Sequence, residues 1–225
     1  MLTNLIQINP LLLKTHGAPF PYFNNQDPIG VLISTILSQR NPNARTAKAF
    51  QQLQDTYPSW EKVRDAETEE FVQTIYSVSF PGQKARRIQK ALHSITESNN
   101  GQLSLSFLKD MSSSSARKWL EKLPGVGPKT SAAILNFSTL NMPALVIDSH
   151  HRRVIERIGW LPLGLSDKKA VEWMENQLPN DWTARDYYDH HEALMYHGQR
   201  FCHIKSPACA DCPIHHLCAK VGLGV

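Results

Sequence analysis

No cysteine occurs before position 202 of this 225-residue chain. Also missing is any apolar run of about 18 residues, the length a bilayer-crossing helix needs, so no membrane role is expected. The opening MLTNLIQINPLLLKTHG has an apolar LLL but neither the charged front nor the small-residue cleavage site of a secretory signal. A cytoplasmic, reducing setting follows as the expectation, and that argues against structural disulfides. Strands with alternating apolar and polar residues, internal repeats and a disordered tail are absent as well. The charge excess is small, a net +4, and hydrophobic content is an ordinary 41%. A chain of this size can bury a full core as one large or two small domains.

What cysteine there is lies close together: Cys202, Cys209, Cys212 and Cys218, spaced Cys-x6-Cys-x2-Cys-x5-Cys. Four thiolates in such a stretch can converge on one soft metal centre. An iron–sulfur cluster, a zinc site and two disulfides are the chemical options. His203, His215 and His216 lie among the cysteines and keep zinc open. Positive charge comes in runs, Lys84-Ala85-Arg86-Arg87 with Lys90, and Arg152-Arg153 with Arg157. Such runs suit a polyanion, although solvated helix faces carry them equally often.

The pattern is helical almost throughout, and the fold class expected is all-α. Asp27-Pro28 reads as an N-cap followed by proline in the first turn, opening a buried helix over Ile29–Leu37. Helical spacing continues over Ala44–Leu53, Glu67–Val78 and Gln83–Thr96. The last puts Ala85, Ile88, Ala91, Leu92 and Ile95 on one side and its basic residues on the other. Ser112 to Ser115 reads as a loop and cap before a helix over Ala116–Lys122. Further helices are expected over Pro128–Ser138, Ser149–Ile158, Lys168–Gln177 and Ala184–Gly198. Trp60, Trp119, Trp160, Trp173 and Trp182 are scattered and read mostly as packing residues.

Leu123-Pro124-Gly125-Val126-Gly127-Pro128-Lys129-Thr130 sits between two of these helices. Two glycines around an apolar residue permit a tight turn with positive φ, while Val126 turns into the core. Backbone amides at the following helix N-terminus then form an anion site, and in a basic protein the natural anion is a DNA phosphate. Such a helix-hairpin-helix holds the backbone and reads no sequence. An ordinary glycine-capped helix–helix turn is the plain alternative.

The hairpin, the cysteine spacing and Leu37-Ser38-Gln39 together resemble the endonuclease III branch of the helix-hairpin-helix DNA glycosylases. The resemblance runs from about Asp27 to Cys218, with the motifs in the same order: LSQ, KA, LPGVGxKT, VIDSH, HG and the cysteines. It implies a [4Fe-4S] cluster on Cys202, Cys209, Cys212 and Cys218. It implies two helical domains with a DNA cleft between them: a six-helix barrel over 28–143, and a domain of 1–27 and 144–225 with the cluster. The partner implied is double-stranded DNA bearing damaged bases or abasic sites, met by a monomer.

Base excision breaks the bond between the base and sugar C1′ after the base is flipped from the duplex. A glycosylase that also nicks the strand needs an amine nucleophile and a nearby carboxylate. Lys129, at a helix start whose dipole works against a protonated amine, is the candidate nucleophile. A phosphate-binding lysine is the plain reading. Asp148, in Val146-Ile147-Asp148-Ser149-His150, is the candidate carboxylate and also a natural N-cap; the two roles are compatible. In the resembled family these positions supply the attacking amine and the essential acid, which favours a glycosylase with AP lyase activity acting on oxidised pyrimidines.

Further contacts to DNA are expected from Gln39, which the resemblance makes an inserting residue, and from Phe80, either an apolar wedge or a core aromatic. Lys84, Leu123, Gly125, Val126, Gly127, Thr130, His150 and Lys205 complete the expected DNA-contacting set. Ser79-Phe80-Pro81-Gly82 and Arg40-Asn41-Pro42-Asn43 depart from the family pattern near the lesion pocket, which leaves substrate choice open. His150, His151, His190 and His191 raise a histidine metal site, but no carboxylate–histidine spacing supports it. The competing functions are a monofunctional glycosylase for mismatched thymine, adenine or alkylated purines, and a non-catalytic DNA-binding module with a zinc knuckle.

Overall fold

The computed structural model describes residues 4–22 and 26–224. Its regular structure is eleven α-helices and one 3-10 helix, with no strand among the described residues. The chain is all-α. It divides into two compact units, Met1–Tyr22 with Met142–Val225, and Phe23–Asn141.

The first unit begins with α1 (Leu5–His16), which the sequence pattern did not reveal as a helix. Its buried residues Leu5, Ile8 and Leu12 follow helical spacing, but Pro10 inside the segment masks the signal.

The second unit holds α2 (Pro28–Ser38), α3 (Asn43–Thr56), α4 (Trp60–Asp65), α5 (Thr68–Thr74), α6 (Pro81–Ser98), α7 (Ser113–Leu120) and α8 (Pro128–Asn136). At its centre is α2, with Ile29, Leu32, Ile33, Ile36 and Leu37 at 2% exposure or less and α3, α6 and α8 packed around it. Asp27 caps this helix as expected, accepting from the Gly30 amide at 2.9 Å and from the Trp60 indole at 2.7 Å. The helix expected over 67–78 ends as α5 at Thr74, and residues 75–80 form tight turns into α6. Unforeseen α4 buries only Val63, too little to show a period. The serine run is also more helical than expected: Ser112 alone caps, accepting from Ser115 N at 3.2 Å, and Ser113–Ser115 form the first turn of α7.

The remaining helices of the first unit are α9 (Ser149–Ile158), α10 (Asp167–Glu175) and α11 (Ala184–Arg200). A Thr183/Asp186 capping box opens α11, which packs against both α1 and α9. Gly198 lets α9 and α11 approach: a Cβ there would sit 2.8 Å from His150 Cβ and 3.0 Å from its carbonyl oxygen. His151, His190 and His191 are buried here. His151 Nδ1 lies 3.3 Å from His191 Nδ1, His191 Nδ1 2.8 Å from the Val146 carbonyl, and His190 Nδ1 2.7 Å from Asn9 Oδ1. The three rings pack edge to face and tilted against one another, with Trp160 and Trp182 beside His190.

Candidate functional site

In the second unit the chain turns from α7 to α8 through residues 121–127. The Val126 amide donates to the Leu123 carbonyl at 3.1 Å, and the Ser131 amide to the Gly127 carbonyl at 2.9 Å. Gly125 has φ +84, the left-handed region, and a Cβ on it would meet Arg87 Cδ at 3.2 Å. Gly127 instead has extended φ −111 as the N-cap of α8, and a Cβ there would meet nothing within 4 Å. So one glycine answers a backbone requirement and the other leaves open space in front of the α8 amides. Leu123, Val126 and Thr130 are buried at 6%, 7% and 5% exposure. Their side chains therefore brace the hairpin from inside, and its outward groups are backbone.

The loop after α2 is tied to this hairpin. The Gln39 side-chain amide donates to the Gly125 carbonyl at 3.0 Å. Behind it, the carbonyls of Leu37 and Gln39 each accept from Lys84 Nζ at 2.7 Å and from Asn41 Nδ2 at 2.9 and 3.0 Å. These are the orphan acceptors of a helix C-terminus, satisfied by an ammonium from α6. The expectation that the basic residues of α6 all face outward is thus corrected. Lys84 is 3% exposed, its amine spent on main-chain carbonyls, and burial lowers its pKa to about 8.

Asn41 also accepts from the Ser79 amide at 2.8 Å, joining the Gln39 loop to the turn before α6. At that turn Phe80 is 54% exposed with φ +57, so it is not a core aromatic. Arg40 is likewise exposed with positive φ, +56. Gln39, Arg40, Phe80, Gln83, Lys84 and Arg87 line one polar cavity. The sequence reading placed the Arg40–Asn43 stretch near the lesion pocket as a departure from the family pattern, without giving Arg40 or Asn41 a role.

Lys129 is an exposed residue in the first turn of α8, beside the hairpin glycines. Asp148 belongs to the other unit, where it caps α9: its Oδ1 accepts from the His151 amide at 2.7 Å. The Val146–Asp148 strap is fixed from α11 by His191 and from α10 by Glu175, which accepts from the Leu145 amide at 3.3 Å. His150 is half-buried, with Nδ1 3.1 Å from an Arg153 nitrogen.

The second basic run, read as suiting a polyanion or as a solvated helix face, is held by partners within the protein. Arg152 pairs with Glu156 at 2.9 Å and Asp167 at 2.8 Å. Arg153 donates to the carbonyls of Gly198 and Cys202. Arg157 donates to the carbonyls of His203 and Ile204 at 2.6 and 3.0 Å, clamping the loop that carries exposed Lys205.

All four cysteines are free thiols lining one apolar cavity with Val154, Ile158, Phe201 and Ile214. Burial pushes the thiols of Cys212 and Cys218 up, and the neighbouring sulfurs add to it. Donors meet the sulfurs: Arg157 Nη1 to Cys202 at 3.3 Å and the Lys220 amide to Cys218 at 3.4 Å, with His197 Nε2 3.6 Å from Cys212. A set of mutually repelling sulfurs with N–H groups aimed at them is what a cationic centre bound by thiolates requires. No group of three or more His, Cys, Asp or Glu among the described residues closes to single-ion geometry.

Comparison with known proteins decides the family. Residues 33–179 match the HhH-GPD superfamily base excision DNA repair protein model. The chain belongs to that superfamily. Endonuclease III of Thermotoga maritima is 30% identical over 193 residues, 85% of this chain and 83% of that protein. Endonuclease III of Escherichia coli is 28% identical over 213 residues, 95% and 93% of the two chains. Among solved structures, a trapped endonuclease III–DNA covalent intermediate with an estranged adenine superposes with TM-score 0.79 at 26% identity, covering 98% of this chain and 97% of that one. A thermostable thymine-DNA glycosylase shares the fold, with TM-score 0.76 at 22% identity over 95% and 94% of the two chains. This base-excision repair protein is a DNA glycosylase with AP lyase activity, and DNA is its partner. No helix among the described residues is long and apolar enough to cross a membrane.

Proposed function

We propose that the chain excises oxidised pyrimidines from duplex DNA with Lys129 as nucleophile and Asp148 as the assisting carboxylate. The Lys129 amine attacks C1′ of the flipped nucleotide, the bond to the base breaks, and the base leaves with its bonding electrons and takes up a proton. The amine then loses a proton, its lone pair forms a double bond to C1′ as the C1′–O4′ bond breaks, and O4′ takes up a proton, leaving a protonated imine between Nζ and the opened sugar. Removal of a C2′ proton then expels the 3′ phosphate by β-elimination, nicking the strand. Asp148 stabilises the positive charge that builds on the sugar and takes part in proton transfer.

One observation carries this reading: a lysine in the first turn of α8 directly follows a hairpin whose open glycine face can seat a phosphate. A lysine there could also bind phosphate, and the endonuclease III relatives favour the nucleophile. Around it, Gln39, Arg40 and Phe80 belong to one cavity, and Phe80 and Arg40 are held exposed in left-handed backbone at loop tips. We assign them the space vacated by the flipped base. We propose residues 28–143 as the six-helix barrel domain with the hairpin, and 1–27 with 144–225 as the cluster-bearing domain.

Cys202, Cys209, Cys212 and Cys218 would hold a [4Fe-4S] cluster. The four sulfurs line one cavity and N–H groups meet two of them, which suits thiolates bound to a cationic centre. When bound, the cluster supplies charge and rigidity to the loop bearing Lys205 and no open coordination site. We propose further that the protein acts as a monomer in the cytoplasm, on DNA with damaged or abasic sites.

The test is a panel of duplexes with one lesion each, scored separately for base release and nicking. The reading expects both on oxidised pyrimidines. Base release without nicking, or neither product on any of them, would refute it.

A further inference from the structure

A line of polar side chains runs from the surface to the cysteine site, all of it within the first unit. His197, in the last turn of α11, is 1% exposed and lines the cavity of the four thiols. Its ring stacks on Phe201, with His16 of α1 edge-on to both. His197 Nε2 is 3.6 Å from Cys212 Sγ, a length that suits a hydrogen bond to the larger sulfur atom. His197 Nδ1 is 3.4 Å from His16 Nε2, and His16 Nδ1 is 3.4 Å from Nη1 of exposed Arg200. The His197 carbonyl also accepts the Cys202 amide at 2.9 Å, so this one residue meets two of the four cysteines.

The chemistry of the outermost residue fixes the direction of the chain. A guanidinium carries only donors, so His16 Nδ1 is the acceptor and the His16 proton sits on Nε2. That N–H faces His197 Nδ1, which is therefore the lone-pair nitrogen. The His197 proton is left on Nε2, toward the sulfur. The reverse order would set an N–H of His16 against the guanidinium and a lone pair of His197 against a thiolate.

We propose, resting on the [4Fe-4S] reading above, that His197 is a positioning residue for Cys212: it donates a hydrogen bond to the metal-bound thiolate, in a tautomer that His16 and Arg200 impose. An N–H on a ligand sulfur draws electron density from it and favours the more reduced state, which raises the reduction potential. Arg157 supplies such a donor directly, at Cys202. The histidine pair differs in reaching its sulfur through two buried rings, so a change at His16 is felt at a cysteine it does not bond.

The test is the one-electron midpoint potential of the iron-loaded full chain, measured by voltammetry. His197→Phe keeps an aromatic ring and removes the donor. His16→Phe leaves His197 in place but frees its proton to sit on Nδ1, away from the sulfur. Each variant should lower the potential, by about 59 mV for every tenfold gain of the oxidised form. The double variant should fall no further than His197→Phe alone, because the two residues act through one contact. An unmoved potential in iron-loaded His197→Phe overturns the proposal, and so does an unmoved His16→Phe. Should His197→Phe fail to fold or to load iron, the wild type decides: imidazole nitrogen NMR should place the proton on Nε2 of both histidines, and a proton on Nδ1 of either overturns it. A wild type holding zinc in place of iron and sulfide would sink the cluster reading and this proposal with it. That outcome is distinct from a loaded cluster whose potential ignores both histidines.

Discussion

The side-chain amide of Gln39 donates a 3.0 Å hydrogen bond to the carbonyl of Gly125, 86 residues along the chain. The residue that family likeness makes an inserting one is thus already held, at its tip by the hairpin and at its carbonyl by Lys84 and Asn41. Entering a duplex breaks the tip bond, at about 1 kcal/mol for an ordinary hydrogen bond. The hairpin proposed to grip a phosphate and the loop proposed to enter the stack are therefore joined by this bond, and a change at one is felt at the other.

Gly125→Ala is expected to lower stability by about 1–2 kcal/mol, from the left-handed backbone and the crowded Arg87 stem. It should weaken binding to undamaged and damaged duplex alike. Gly127→Ala meets open space and extended backbone, so it should cost little stability while weakening DNA binding by obstructing the α8 amides. Denaturation midpoints and salt-matched binding curves for the two variants separate these outcomes. Equal loss of stability in both would contradict this account of the turn.

Lys84→Ala should destabilise by about 1–3 kcal/mol, because buried carbonyls lose a donor. It should also slow excision by loosening the Gln39 loop. The native ammonium is held at a lowered pKa, so between about pH 8 and its unfolded value the unfolded chain binds more protons. The lysine's contribution to stability therefore rises with pH across that window. The wild-type stability curve should show this rise and the Lys84→Ala curve should lack it.

Much of the fold was legible because its helices are strongly periodic or plainly capped. Asp27-Pro28 opens α2 as read, and Ser149–Ile158 is α9 residue for residue. Segments that failed had weak local signals. Pro10 disguised α1, α4 buries one apolar residue, and the run over 67–78 carries apolar residues into turns that helical spacing alone does not separate. At the site, the residues proposed to carry the chemistry, Lys129, Asp148 and the cysteines, stand in recognisable motifs. What sequence could not give was the destination of long side chains. Lys84, Arg152, Arg153 and Arg157 read as surface charge and are spent on carbonyls and carboxylates.

Acid should destabilise the first unit. Burial holds His151 well below the ordinary histidine range and His190 at about 3, and neighbouring histidines add to both. Nε2 of each has no hydrogen-bond partner among the described residues. Their native pKa values lie below the unfolded one, so this stability is fully present above about pH 6.5 and is lost as pH falls below it. His190→Gln should flatten the fall in thermal midpoint between pH 7 and pH 5. An unchanged slope would remove His190 from the explanation.

The cysteine site predicts a brown protein containing iron and acid-labile sulfide. Cys212→Ser should lose the visible absorbance and lower the thermal midpoint. A colourless wild type with one bound zinc ion would contradict the cluster assignment.

The most direct test of the central claim is borohydride trapping on a duplex with one oxidised pyrimidine. The account predicts a covalent protein–DNA adduct with the wild type and none with Lys129→Ala, in protein shown to be folded and to bind DNA. An adduct of undiminished yield with Lys129→Ala, or no adduct with an actively nicking wild type, would contradict it.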